Sequence, residues 1–125
     1  MKKLLLLLSL VCVASALYAV VYCPPPEWVR TAKFKIPKQN LYDETQWNFL
    51  TEWMQYEGEL WQIEYGSFFP HVHTVEESLK TGQQAYLHSP PTVHYPEAYA
   101  TPGYWLCEYT SSGKTYWITA LHQRG

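Results

Sequence analysis

Two cysteines, Cys23 near the start and Cys107 near the end, constrain this chain more than any other feature. Any fold must account for both thiols, and the account depends on the compartment. Three readings of Cys23 compete: a lipid anchor, a reactive thiol, and half of a disulfide. The residues ahead of it speak to the compartment. Met1-Lys2-Lys3 is a short basic start, and residues 4–13 form an apolar run of about ten residues, too short to span a bilayer well. Ala14-Ser15-Ala16 follows, with small residues at both recognition positions. Residues 1–16 are therefore expected to be a secretory signal cleaved after Ala16, with Ala19 as the second choice. Cys12 leaves with it.

A lipid anchor needs small residues just before the cysteine, and Val20-Val21-Tyr22 do not supply them. A reactive thiol needs an electropositive setting, whereas Cys23 is surrounded by Tyr22, three prolines and Glu27. A Cys23–Cys107 disulfide is the expectation that remains. It would close a loop of roughly 85 residues, worth about 4 kcal/mol in the chain-entropy model. Pro24, Pro25 and Pro26 would then hold a stiff, extended leader against the domain.

Residues 17–125 are expected to form a single small disulfide-linked domain, periplasmic or secreted, with no stable membrane span after cleavage. Once Lys2 and Lys3 are gone, seven basic residues stand against eleven acids. Nucleic-acid binding wants a basic stripe, and that balance argues against it. The aromatic load is high: six Trp, eleven Tyr and four Phe, all beyond the cleavage site. Trp and Tyr carry a polar handle, so some are expected at the surface and the rest in the core.

Residues 32–36 alternate apolar and basic and stop at Pro37, which reads as a half-buried strand at a sheet edge. Residues 43–56, "DETQWNFLTEWMQY", predict an amphipathic helix. Asn48, Thr51, Glu52 and Gln55 fall in one arc of about 100 degrees, with Trp47, Phe49, Leu50, Trp53, Met54 and Tyr56 elsewhere. Asp43 is the cap, with Gln46 three residues on, and Gly58 is the stop. Residues 59–69 return to period two, with Trp61, Ile63 and Tyr65 on one face and a bulge at Gly66. Residues 75–80 are read as one helical turn ending near Gly82. Residues 88–104 hold four prolines and three tyrosines and predict an ordered loop or an extended edge. Residues 104–110 and 115–121 predict a hairpin across Ser111-Ser112-Gly113-Lys114.

The expected fold is α+β, mainly β: an antiparallel sheet with one amphipathic helix packed on it. The alternative is an all-β sandwich with residues 43–56 as strand. The element order is similar to the cystatin-like arrangement, but the Gln-x-Val-x-Gly hairpin motif of those inhibitors is absent, so no inhibitor function is carried over.

Cys23, Pro24 and Pro26 near the start, with Gly103, Cys107 and Tyr109 near the end, resemble a group of small exported proteins from intracellular gammaproteobacteria. Those carry Cys-Pro-x-Pro early and Gly-x-x-x-Cys-x-Tyr late. The match covers about 15 residues. It implies export and the disulfide, with periplasmic or secretion-associated roles.

His71 and His73 in "HVH" are the weak metal candidates, since residues i and i+2 of a strand share a face. Solvated loop histidines are the preferred reading, and no metal or cofactor is expected. No Gly-x-Ser-x-Gly elbow or phosphate-binding glycine loop is present. Glu57, Glu59 and Glu64 read as a surface acid run rather than paired catalytic carboxylates. A non-enzyme is expected. Tyr95, Tyr99 and Tyr104, set among prolines, are the candidate residues for binding a protein partner in the cell envelope. The alternative is a carbohydrate-binding module that uses exposed Trp and Tyr faces on a glycan.

Overall fold

Alternation builds the centre of the molecule. The computed structural model describes residues 20–110 and 116–124. In order these form α1 (Pro26–Val29), β1 (Ile36–Gln39), β2 (Gln46–Leu50), β3 (Met54–Tyr56), β4 (Glu59–Phe68), α2 (Val75–His88), β5 (Val93–His94), β6 (Tyr99–Thr101), β7 (Tyr104–Thr110) and β8 (Trp117–Gln123). The expected signal segment, residues 1–16, and the hairpin loop at residues 111–114 lie outside the described residues. The fold is α+β and mainly β. The sheet runs β1-β2-β4-β8-β7-β5, with β3 also on β4 and β6 also on β7. Every pairing is antiparallel.

The period-two reading of β4 holds: Trp61, Ile63 and Tyr65 are buried. Register then extends one inward row across four strands, Phe49 opposite Tyr65, Tyr65 opposite Ile118, and Ile118 opposite Tyr109. Side chains directly opposite on one face are the stabilising unit of a sheet, and this row is almost wholly aromatic. Phe34, Trp47, Phe49, Trp61, Tyr65, Tyr86 and Tyr109 are the buried rings of the core. Phe34 is their hub, with ring centroids 4.8 Å from Tyr86 and 5.7 Å from Tyr65.

Residues 43–56 are not a helix. They form a turn followed by β2 and β3. Asp43 does act as a local cap, but for a turn: its Oδ1 accepts from the Thr45 amide at 2.9 Å and the Thr45 hydroxyl at 2.7 Å. Its own carbonyl accepts from Gln46 N–H at 3.1 Å. Trp47 and Phe49 then point into the core, while Asn48 points the other way and donates to Glu64 Oε1 at 2.7 Å. Large apolar residues carried on two short strands and on the break between them, Trp47, Phe49 and Leu50 in β2, then Trp53, then Met54 and Tyr56 in β3, imitated a helical stripe. Gly58 is not a helix stop. Glu57 and Gly58, with φ of 49° and 81°, make the two-residue turn between β3 and β4, a geometry that needs positive φ at both positions.

The principal helix is α2, and it runs well past the single turn expected and through Gly82. Thr74 caps it by accepting from Glu77 N–H at 3.1 Å, and Glu76 and Glu77 sit in the first turn, where the helix dipole favours acids. Its buried stripe is Ser78, Gly82 and Tyr86. That stripe carries little hydrophobicity, so the sequence shows no strong apolar period. Gly82 lets the Phe49 ring lie against the helix.

Two further expectations shift. The first strand is Ile36–Gln39, four residues later than read, with Pro37 inside it; as the end of the sheet order, β1 is an edge strand that tolerates proline. Gly66 is no bulge, since it pairs regularly with Asn48 and Trp117. It is small because the Trp117 indole covers it.

The leader is sewn to the domain. Cys23 and Cys107 form a disulfide with Cα atoms 5.8 Å apart. Cys23 N–H donates to Pro96 O at 2.9 Å and Ala98 N–H to Val21 O at 2.8 Å. The Tyr109 hydroxyl donates to Pro24 O at 2.5 Å. Pro25 is extended, at φ −69° and ψ 155°, but Pro26 opens α1 at its first position, where a missing N–H costs nothing.

Candidate functional site

The proline-rich stretch 88–104 forms a broken edge of the sheet. Thr92 N–H donates to Thr110 O at 3.0 Å, β5 pairs with the end of β7, and β6 pairs with its start. Between them, residues 96–98 turn away from β7 and pair with the leader, through an isolated bridge between Tyr22 and Glu97. Proline cannot donate to a ladder, so the edge breaks at Pro96 and the leader takes over there. The disulfide fixes the leader to β7 immediately alongside.

This geometry leaves Tyr95 at 72% exposure, Tyr99 at 46% and Tyr104 at 40%. Tyr95, Pro96, Glu97, Tyr99 and Glu108 line an open cleft of about 310 Å³. Tyr104 stands apart from it, across from Thr101 and Gln123. The Tyr99 hydroxyl donates to Glu108 Oε1 at 2.6 Å. That bond to a carboxylate pushes the Tyr99 phenol pKa up, with desolvation second. The cleft therefore combines two presented rings, a proline face and two carboxylates.

A second exposed aromatic site was not legible in the sequence. Trp53 is 39% exposed and lines a cleft of about 470 Å³ with Glu59, Leu60, His122 and Gln123. His122 Nε2 lies 3.0 Å from Glu59 Oε2, its Nδ1 lies 2.8 Å from Leu60 O, and its ring sits over Trp61 at 5.1 Å. Pairing of β4 with β8 brings these groups together from the middle and the end of the chain.

His71 and His73 flank buried Val72 outside any strand, and both are exposed. They do not share a strand face. Among the described residues, no group of three His, Cys, Asp or Glu side chains is placed to hold a metal ion. Glu57 sits in the turn, Glu59 meets His122, and Glu64 accepts from Asn48. Among the described residues, no helix is long and apolar enough to cross a membrane.

Comparison with family models, with curated proteins and with solved structures finds no match for this chain. The reading of its sites rests on their geometry.

Proposed function

We propose that this chain is an exported, non-catalytic interaction module of the cell envelope that docks a protein partner at the Tyr95–Tyr99 edge. The observation that carries the reading is the cleft itself: two exposed tyrosines and Pro96 around Glu97 and Glu108, held by the leader hydrogen bonds and the disulfide. Tyrosine suits interface centres because it buries a large ring yet keeps a hydroxyl. A pinned, proline-rich backbone loses little freedom on binding. Aromatic faces beside carboxylates favour a cation, so the partner segment presents a Lys or Arg side chain between the two rings. Export rests on the basic-apolar-small pattern of residues 1–16, the disulfide, and the resemblance to small exported proteins.

The test uses immobilised disulfide-bonded protein and short peptides of equal length that are basic, neutral or acidic. Basic peptides should be retained, and the double variant Tyr95→Ala/Tyr99→Ala should weaken retention about tenfold with the melting temperature nearly unchanged. Equal retention of all three peptide classes would end the proposal. So would a large loss of stability in the double variant with peptide capture intact.

One observation favours a glycan as the second reading. Trp53 stands exposed beside the Glu59 carboxylate and the Gln123 amide, a flat face next to hydrogen-bonding groups. A glycan array probed with the wild type and Trp53→Ala separates the two: glycan capture lost in Trp53→Ala supports sugar, and no capture rejects it.

A further inference from the structure

A larger concavity than the tyrosine cleft lies elsewhere among the described residues. It is a groove of about 660 Å³ between residues 30–35, which turn out of α1 and lead to β1, and helix α2. Its volume falls within the range of small-molecule sites. The two walls are locked at a fixed spacing by one side chain. Gln83 Oε1 accepts from Phe34 N–H at 2.8 Å, and Gln83 Nε2 donates to Ala32 O at 3.2 Å. The amide thus holds the backbone of residues 32–34 at both a donor and an acceptor, so the groove is formed before anything enters it.

Apolar and cationic groups both line it. Phe34, Leu79 and Leu87 supply apolar surface, and Leu87 is 61% exposed at one end. Arg30, Lys33, Lys35 and Lys80 also line it. These are four of the seven basic residues beyond the expected cleavage site of a chain whose net charge is −2. Glu76 is the one acid on the rim. Arg30 Nε is held by Pro91 O at 3.0 Å. Among the described residues the one ion pair is His122 with Glu59, so the three lysines stand outside any close ion pair, with Glu76 alone to set against them on the rim. An acidic protein has concentrated net positive charge, four basic residues against one acid, beside a preformed apolar trough.

We infer that this groove binds an anionic amphiphile with a single acyl chain, its head group on Lys33, Lys35 and Lys80 and its tail along Leu79 and Leu87. The volume suits one chain rather than a folded partner, and the charge selects the anion over a neutral lipid. This site is separate from the tyrosine edge and does not depend on that reading.

The test is titration of the disulfide-bonded protein with the fluorescent fatty acid cis-parinaric acid, kept below its micelle concentration, and with its methyl ester. Saturable binding of the acid, with the ester about tenfold weaker, is expected. The triple variant Lys33→Glu/Lys35→Glu/Lys80→Glu should lose at least about tenfold in affinity. Leu87→Asp should lose a similar factor, and Tyr95→Ala/Tyr99→Ala should bind as the wild type does. Because these side chains are exposed, the fold should survive, which near-ultraviolet circular dichroism checks. The ester comparison needs no variant at all. Equal binding of acid and ester, unchanged affinity in the triple variant, or a signal only above the micelle concentration would each overturn the inference. Capture of an acidic peptide without binding of the fatty acid would overturn it too, and would assign the groove to a protein.

Discussion

Gly82 in α2 lies so close to Phe49 in β2 that a Cβ added there would stand 2.5 Å from ring atoms Cε2 and Cζ. Phe49 has no room to yield, since it is fully buried and stacked on Tyr65 at 6.0 Å. Helix propensity alone favours alanine by about 1 kcal/mol. Overpacking costs about 1–3 kcal/mol and should win. Gly82→Ala is expected to lower the urea midpoint by an amount equal to a net loss of up to about 2 kcal/mol. A midpoint at or above the wild-type value would show that the helix can lift off the sheet without penalty.

Reduction of the disulfide tests the staple. Alkylation of the unreduced, denatured protein should label neither Cys23 nor Cys107, and Cys107→Ser should cost about 4 kcal/mol for a loop of this length. Stoichiometric labelling of both thiols before reduction would refute the pairing.

The Tyr86 hydroxyl donates to Val29 O at 2.6 Å with both groups buried. Tyr86→Phe keeps the ring and strands the carbonyl. A loss of about 1–3 kcal/mol is expected, measured by thermal or urea melting, and an unchanged melt would mean that water replaces the phenol.

Alkaline pH should unfold the protein through its core tyrosines. Burial pushes the Tyr65 phenol up to about 12, and burial also raises Tyr86 and Tyr109 well above their usual value. In the unfolded chain these phenols ionise near pH 10. A raised folded pKa gives stability that is complete below the unfolded value and is lost as pH climbs toward the folded one. The decline therefore begins near pH 10 and steepens to about 4 kcal/mol per pH unit where all three phenols contribute. Tyrosinate absorbance and near-ultraviolet circular dichroism should change together. Ionisation of all three near pH 10 with the fold intact would contradict their burial.

Legibility in the sequence followed the physics of each segment. The strands β4, β7 and β8 were readable because one face is core and the other wet, so Trp61, Ile63 and Tyr65 alternate with Gln62 and Glu64. Residues 43–56 misled because two short strands and the break between them all carry large rings: Trp47 is buried in β2, while Trp53 is exposed between β2 and β3. Helix α2 was undersold because its inward stripe is small or polar, and Gly82 reads as a breaker until Phe49 is placed on it. The exposure of Tyr95 and Tyr99 could be anticipated because prolines keep that stretch from the sheet interior. The Trp53–Glu59–Gln123 cleft and the Gln83-locked groove could not, since each joins residues that only strand pairing or helix docking brings together.

The Cys23–Cys107 bond has a mechanical consequence. Load applied between the two ends of the domain enters at Cys23 and crosses directly to β7, then to β8, without stretching the chain in between. The covalent shortcut spans 84 positions, so roughly 280 Å of contour length stays out of the force path until the bond is reduced. A pulled, oxidised molecule would lengthen only by its leader and its last strands. The same molecule after reduction would give up that hidden length as well.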